Sequence, residues 1–320
     1  MMHSSPRPRI LISKCLGFSP CRYDGRMIPS PVTEAMRSYV DFITVCPEYG
    51  IGLGVPREPI RIILGDQDAR RLVQPATGLD ITERMAGFTS SYLDRIDTID
   101  GAILKSRSPS CGIGNTKVFP SSASRDCLHS KGTGFFAEGL KLRFPSLPTV
   151  DDEQLYDPAR RDDFLARVFA LASFRKAAGS GKMSELVDYH TRNKLLLMAF
   201  DKKSMTQMGD LVANHEKRPL DDVLEGYGRS LREVLSREAG IGSNINVLMH
   251  AIGYFSDRLT GDEKLHFEEL VRKCRRDSTV LAELRQLFLS WVMRSNVEYL
   301  AQQTYFSPYP PELSGTLQQV

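Results

Sequence analysis

Residues 102–112 read AILKSRSPSCG. An apolar run, Ala102-Ile103-Leu104, stops at Lys105. Pro109 then fixes one φ angle, and Gly112 permits a tight turn. A strand running into a stiff loop that carries a cysteine among hydroxyls and cations is the expected form. The same pattern recurs upstream: RILIS (9–13) precedes Lys14-Cys15, and FITV (42–45) precedes Cys46. IRIIL (60–64) reads as a further strand, with turn-rich sequence around Gly65-Asp66. Between these runs lie helix-like stretches: PVTEAMRSYV (31–40), DITERMAGFTSSYLDRI (80–96) and GTGFFAEGLKLRF (132–144). Such alternation predicts an α/β domain over 1–150, a Rossmann-like parallel sheet with helices on both faces.

Beyond 150 the texture changes. Pro145, Pro148 and the acidic run 151–153 resemble a linker. Long 3.6-residue periods follow, in FLARVFALASFRKAA, MSELVDYHTRNKLLLMAF, LDDVLEGYGRSLREVL, INVLMHAIGYF and EYLAQQTYF. Glycines at 179, 181, 240 and 261 punctuate them, so 155–320 is expected to be an all-helical domain.

The chain of 320 residues suffices for two domains of ordinary size. No apolar run approaches the ~20 residues of a membrane span, and the start of the sequence has too few consecutive apolar residues for a signal peptide. A cytoplasmic protein is expected. In that compartment six cysteines point away from disulfides, toward metal binding, catalysis or burial. The net charge of +3 names no partner, but its distribution is uneven: residues 160–203 hold ten Lys and Arg against five Asp and Glu.

In an open parallel sheet, ligands bind outside the carboxyl ends of the strands. Cys15, Cys46 and Cys111 each follow a strand, so the sheet would bring them together although their local spacing would not. Three thiolates at one edge suit zinc with an open fourth position, or an iron–sulfur cluster with one iron unligated by protein. Plain burial of three small apolar side chains is the competing reading.

CLGFSPCRYDG (15–25), CPEYGIGLGVPREP (46–59) and LKSRSPSCG (104–112) together resemble the thiouracil desulfidase family, over roughly residues 8–150. VFALASFRK, DYHTRNKLLLMAFD, LVAN, INVLMHAIGYF and YFSPYPPEL resemble the YbgA-type helical domain. Residues 274–287, CRRDSTVLAELRQL, depart from that domain's pattern. The fused form resembles desulfidases acting on 4-thiouridine in tRNA. The resemblance implies a [4Fe-4S] cluster on Cys15, Cys46 and Cys111. Cys21 is left as a fourth ligand, a sulfur acceptor or a bystander.

On that footing the expected chemistry is hydrolysis of a thiocarbonyl. Glu48 is the candidate base, two residues past Cys46 across a proline turn. Ser108 is expected to orient water or the pyrimidine, although a serine before proline also serves as a turn former. Arg22, Arg57 and Lys105 are candidates for substrate contacts. Arg175, Lys176, Lys182, Arg192 and Lys194 form a basic stripe expected to meet RNA, with a solvated helix face as the alternative. A desulfidase of free thiouracil or thiouridine nucleotides is the same-chemistry alternative. A non-catalytic zinc- or cluster-containing RNA-binding or redox-sensing protein is the rival from another class.

Overall fold

The computed structural model describes residues 6–65 and 69–315. Asp66 of the expected turn and the last five residues of the expected helical domain lie outside them. Two compact units are formed, by residues 7–157 and 158–315.

The first unit begins with β1 (Arg9–Ser13), α1 (Pro31–Met36), β2 (Asp41–Val45) and the single turn α2 (Pro47–Gly50). It continues with β3 (Arg61–Leu64), β4 (Arg70–Gln74), β5 (Leu79–Asp80), α3 (Thr82–Leu93) and β6 (Gly101–Leu104). It closes with β7 (Ile113–Phe119), β8 (His129–Thr133), α4 (Phe135–Arg143) and β9 (Thr149–Asp151). Strands β2-β1-β6-β9 form a sheet in which every pairing is parallel. Ile10, Leu11, Ile12, Ala102, Ile103 and Leu104 are wholly buried in it, as expected of strands covered on both faces. The α/β expectation holds.

Two differences matter for the site. β3 does not join the parallel sheet; it pairs antiparallel with β4 and parallel with β7 in a second, mixed sheet ordered β5-β4-β3-β7-β8. The short connection from Leu64 to Arg70 can make a hairpin but not the crossover that a parallel neighbour requires. A short apolar run states that a strand is buried, not which sheet receives it. The second difference is β9: the stretch that reads as a linker supplies the last strand of the parallel sheet, with Asp152 bonding its backbone N–H to the Leu104 carbonyl at 3.1 Å.

The second unit is helical: α5 (Pro158–Gly179), α6 (Met183–Phe200), α7 (Lys202–Ala213), α8 (Leu220–Val234), α9 (Ile241–Ile252), α10 (Gly261–Cys274), α11 (Val280–Ser295) and the short α12 (Glu298–Ala301) and α13 (Glu312–Gly315). α6 packs on α5, α7, α8 and α9, and its apolar side chains Leu186, Leu195, Leu196 and Leu197 sit in the main core cluster. A buried polar knot ties distant segments together. Arg285 of α11 donates to Asp162 of α5 at 2.7 Å and to Asn244 of α9 at 3.1 Å, while the hydroxyl of Tyr305 donates to Asn244 at 3.0 Å. No helix among the described residues is long and apolar enough to cross a membrane.

Strand burial predicts a graded stability response. Ile12→Ala and Ile103→Ala each remove a fully buried side chain and should cost about 2–5 kcal/mol. Leu142→Ala, on a side chain 79% exposed, should stay within about 0.5 kcal/mol. Urea unfolding of the three variants checks the ranking.

Candidate active site

The parallel register sets the strand ends level. Ser13 lies opposite Val45, and Ile12 opposite Ile103, so the segments after β1, β2 and β6 leave the sheet along one edge. There they enclose a pocket of about 490 Å³ lined by Cys15, Cys21, Cys46 and Cys111 together with Glu48, Arg57, Lys105 and Ser108. The three strand-end cysteines therefore meet, and Cys21 joins them.

Each thiol is held differently. Cys46 is the residue before α2; its Sγ lies 3.7 Å from the Cys21 carbonyl oxygen. The Cys21 thiol in turn hydrogen-bonds to Cys46, which holds Cys46 below the ordinary thiol range and pushes Cys21 above it; the Tyr49 backbone also favours the Cys46 thiolate. Burial, reinforced by the charge of Cys46, pushes Cys15 up to about 12. Burial likewise raises Cys111, against a hydrogen bond with Ser13. Thiols that raise one another cannot all ionise without a positive guest, which is the electrostatic setting in which metal binding displaces protons.

The loop 105–112 is built from its serines. Ser108 Oγ accepts from the backbone N–H of Ser110 at 3.2 Å and of Cys111 at 3.1 Å. Its carbonyl accepts from Gly112 at 2.8 Å and from the Thr116 hydroxyl at 3.0 Å. Ser108 thus shapes the turn, and it also lines the pocket. With two N–H groups on its oxygen, its own hydroxyl proton is what remains to offer.

The loop is then latched to the start of α4. Gly134 donates to Gly112 at 2.8 Å, Phe135 to Pro109 at 3.1 Å and Ala137 to Ser110 at 3.1 Å. Gly134 must be glycine, because a Cβ there would lie 2.4 Å from the Ser110 carbonyl carbon.

Glu48 Oε2 accepts from Arg57 Nε at 2.9 Å and Nη2 at 2.6 Å, and Oε1 accepts from the Ser110 hydroxyl at 2.9 Å. The Arg57 side chain is only 4% exposed, and its Nη1 also donates to the carbonyls of Cys21 and Gly54. Arg57 is thus committed to holding Glu48 and the Cys21 loop. Lys105 Nζ donates to Asp152 at 2.6 Å and to Ser106 at 2.8 Å. Arg22 stands 3.7 Å from Asp24 at the rim.

Ser110 and Asp152 were not anticipated. Ser110 is wholly buried and touches Glu48; its sole signal was its place beside Cys111. Asp152 was hidden in an acidic run that reads as solvated linker. Among the described residues no group of three or more His, Cys, Asp or Glu is already drawn together as a metal site.

Residues 10–152 match the family described as 2-thiouracil desulfurase, and residues 194–310 match a family of proteins of unknown function, DUF1722. The chain belongs to the 2-thiouracil desulfurase family, joined to a DUF1722 domain. It is similar to the uncharacterized protein YbbK of Bacillus subtilis (strain 168), 38% identical over 115 residues, 33% of this chain and 74% of YbbK. It is also similar to the uncharacterized protein YbgA of Escherichia coli (strain K12), 30% identical over 152 residues, 47% of this chain and 89% of YbgA. A solved structure described as the [4Fe-4S]-dependent thiouracil desulfidase TudS is 28% identical, covering 47% of this chain and 93% of that one, with a TM-score of 0.38. In this member of the desulfurase family the matched segment ends on the acid that anchors Lys105 and takes in every pocket residue but Glu153.

The latch carries a prediction. Gly134→Ala should push the Ser108–Cys111 turn off α4, costing about 1–3 kcal/mol and opening Cys111 to a thiol reagent. Iron-free protein under anaerobic conditions should show one more fast-reacting thiol than the parent. Unchanged thiol reactivity would remove Gly134 from the architecture of the site.

Proposed function

We propose that the chain is an iron–sulfur desulfidase that hydrolyses the C=S group of 4-thiouridine in tRNA. The products are uridine and sulfide, with no net redox change. A [4Fe-4S] cluster is held by Cys15, Cys46 and Cys111. The observation that carries this reading is the convergence of soft thiols and a buried, oriented carboxylate at one strand edge, in a family described by its action on thiouracil.

When bound, the cluster supplies a soft Lewis acid suited to a thiocarbonyl sulfur. The rest falls to the chain's own side chains. Arg57 fixes Glu48 Oε2, which leaves Oε1 as the basic atom toward the pocket; it accepts one bond from Ser110 and keeps capacity for a water proton. The Ser108 hydroxyl donates to the water or to the pyrimidine oxygen. Lys105, neutralised by Asp152, adds a further N–H at the pocket wall. Arg22 at the rim is the cation available for a nucleotide phosphate.

The basic helical stripe gives the tRNA its hold. Lys176 and Lys182 are exposed, and Arg192 is half-exposed in an i,i+4 pair with Asp188 at 2.8 Å. Extracting a stacked base costs a few kcal/mol, and phosphate contacts by Arg175, Lys176, Lys182, Arg192 and Lys194 offset it. Free thiopyrimidines, which need no extraction, would be turned over without these contacts.

Three measurements test the proposal. Cys15→Ala, Cys46→Ala and Cys111→Ala should each lose iron and acid-labile sulfide from anaerobically purified protein, while Cys127→Ala and Cys274→Ala should not. A fully loaded Cys111→Ala protein would sink the ligand set. Glu48→Gln should keep the iron and lose about 10²–10⁴-fold in rate; near-parental turnover would remove Glu48 from the chemistry. Charge reversal at Lys176 and Lys182 should weaken tRNA binding and flatten its salt dependence by about one slope unit per lost phosphate contact. An unaltered slope would point to the free-thiopyrimidine alternative.

A further inference from the structure

Arg107 stands in the middle of the loop 105–112, and the site described above makes no use of it. Its φ is +58°, in the left-handed region that glycine enters freely and an L side chain does not. Among the described residues three other non-glycine residues have a positive φ. Asn214 and Asn296 end α7 and α11, where a left-handed asparagine is usual, and Lys217 lies in the turn after α7. Arg107 ends no helix. Glycine in its place would relieve the backbone and still carry the chain from Lys105 into the Ser108 turn.

The conformation is imposed by its neighbours. The Arg107 N–H donates to Asn115 Oδ1 at 2.9 Å, and Asn115 Nδ2 donates to Asp151 at 2.8 Å. The Ser106 N–H donates to Asp152 at 2.7 Å, and the Ser108 hydroxyl oxygen carries two backbone N–H groups. With the residue anchored on both sides, the strain persists. What stays free is the side chain, which is 73% exposed. Its Nη2 lies 3.0 Å from Glu153 Oε2, and both residues line the thiol pocket. An ion pair as exposed as this one adds little to stability. The fold therefore holds a guanidinium at the pocket wall, in a backbone state that disfavours it, with only a weak partner.

The surroundings indicate what would displace that partner. Among the described residues, five lysines and arginines line the pocket against two carboxylates, Glu48 and Glu153. Glu48 is bound to Arg57, so Glu153 is the carboxylate that an incoming anion can replace. A planar guanidinium meets two oxygens of a phosphate as readily as two of a carboxylate. We propose that Arg107 is the phosphate clamp of the thiol pocket: it leaves Glu153 and grips the phosphate of a pyrimidine nucleotide whose base enters toward the cysteines. Arg22 adds a second cation at the rim. That the base carries sulfur rests on the function proposed above; the grip on the phosphate does not.

The test titrates anaerobically purified full-length protein with uridine 5′-monophosphate, uridine and inorganic phosphate by calorimetry. The nucleotide should bind tighter than either fragment by about tenfold or more. Arg107→Gly should lose about tenfold or more in nucleotide affinity and hold Tm within about 2 °C of the parent, since glycine accepts this φ. Arg107→Lys, which keeps the charge without the fork, should fall between the two. Glu153→Gln should bind the nucleotide as tightly as the parent or tighter, because it removes the competitor. A mere structural strut would behave otherwise, with Arg107→Gly and Glu153→Gln weakening binding alike. That result overturns the proposal, as do nucleotide affinity within about twofold of the parent in Arg107→Gly and inorganic phosphate binding as tight as the nucleotide. Sulfide release from a free thiopyrimidine, measured on the same preparation, reports on the desulfidase reading separately. Release with nucleotide binding indifferent to Arg107 would refute this inference alone. Arg107-dependent binding without release would refute the proposed function alone.

Discussion

Everything at the thiol pocket depends on the level ends of parallel strands. Parallel pairing requires all strands to exit at the same edge, and the registers of β1 with β2 and β6 bring those exits into line. The thiols contribute nothing to this alignment. It is enforced by burial of Ile10, Leu11, Ile12 and Ala102–Leu104, worth on the order of 25 cal/mol per Å² of apolar surface. The cost of crowding thiols and a carboxylate is thereby carried by a core with no chemical role. The mixed sheet supports the same edge from behind: β7 leaves directly from the Cys111 turn, and β8 leads into the helix that latches it.

Polar groups inside the molecule follow one logic at different places. The Glu48–Arg57–Ser110 set and the Asp162–Arg285–Asn244–Tyr305 knot are buried, and nearly all their donors meet acceptors. Removing one partner from such a set strands a charge. His190, whose Nδ1 lies 3.1 Å from the Tyr227 hydroxyl, and Arg285 Nε depart from this logic: His190 Nε2 and Arg285 Nε are buried without hydrogen-bond partners.

Much of this was readable in the sequence because period and punctuation carry it. RILIS, FITV and GAILK were recognisable as buried strands, and the cysteines behind them as neighbours, since strand polarity alone places their ends together. MSELVDYHTRNKLLLMAF appears as one helix with the bounds its pattern suggests. What escaped was information that resides in pairing. Nothing in IRIIL says that its partner is the hairpin strand RRLVQ. Nothing in TVDDE distinguishes a linker from a short edge strand, because three residues are too few to show a period. Arg57 reads as a free cation until the fold places Glu48 against it.

The order of the strands in space has a consequence for biosynthesis. β1, β2, β6 and β9 are neighbours in the sheet but are drawn from residues 9 through 151. Contacts so distant in sequence form slowly, and the Lys105 and Ser106 anchors await Asp152. A nascent chain therefore emerges from the ribosome with its pocket cysteines already made and nothing yet to gather them. The pairing of β1 with β2 and β6 gathers the strand ends, and the docking of β9 then completes the hold on Lys105 and Ser106, so the loop that leads to Cys111 is the last wall of the pocket to be fixed.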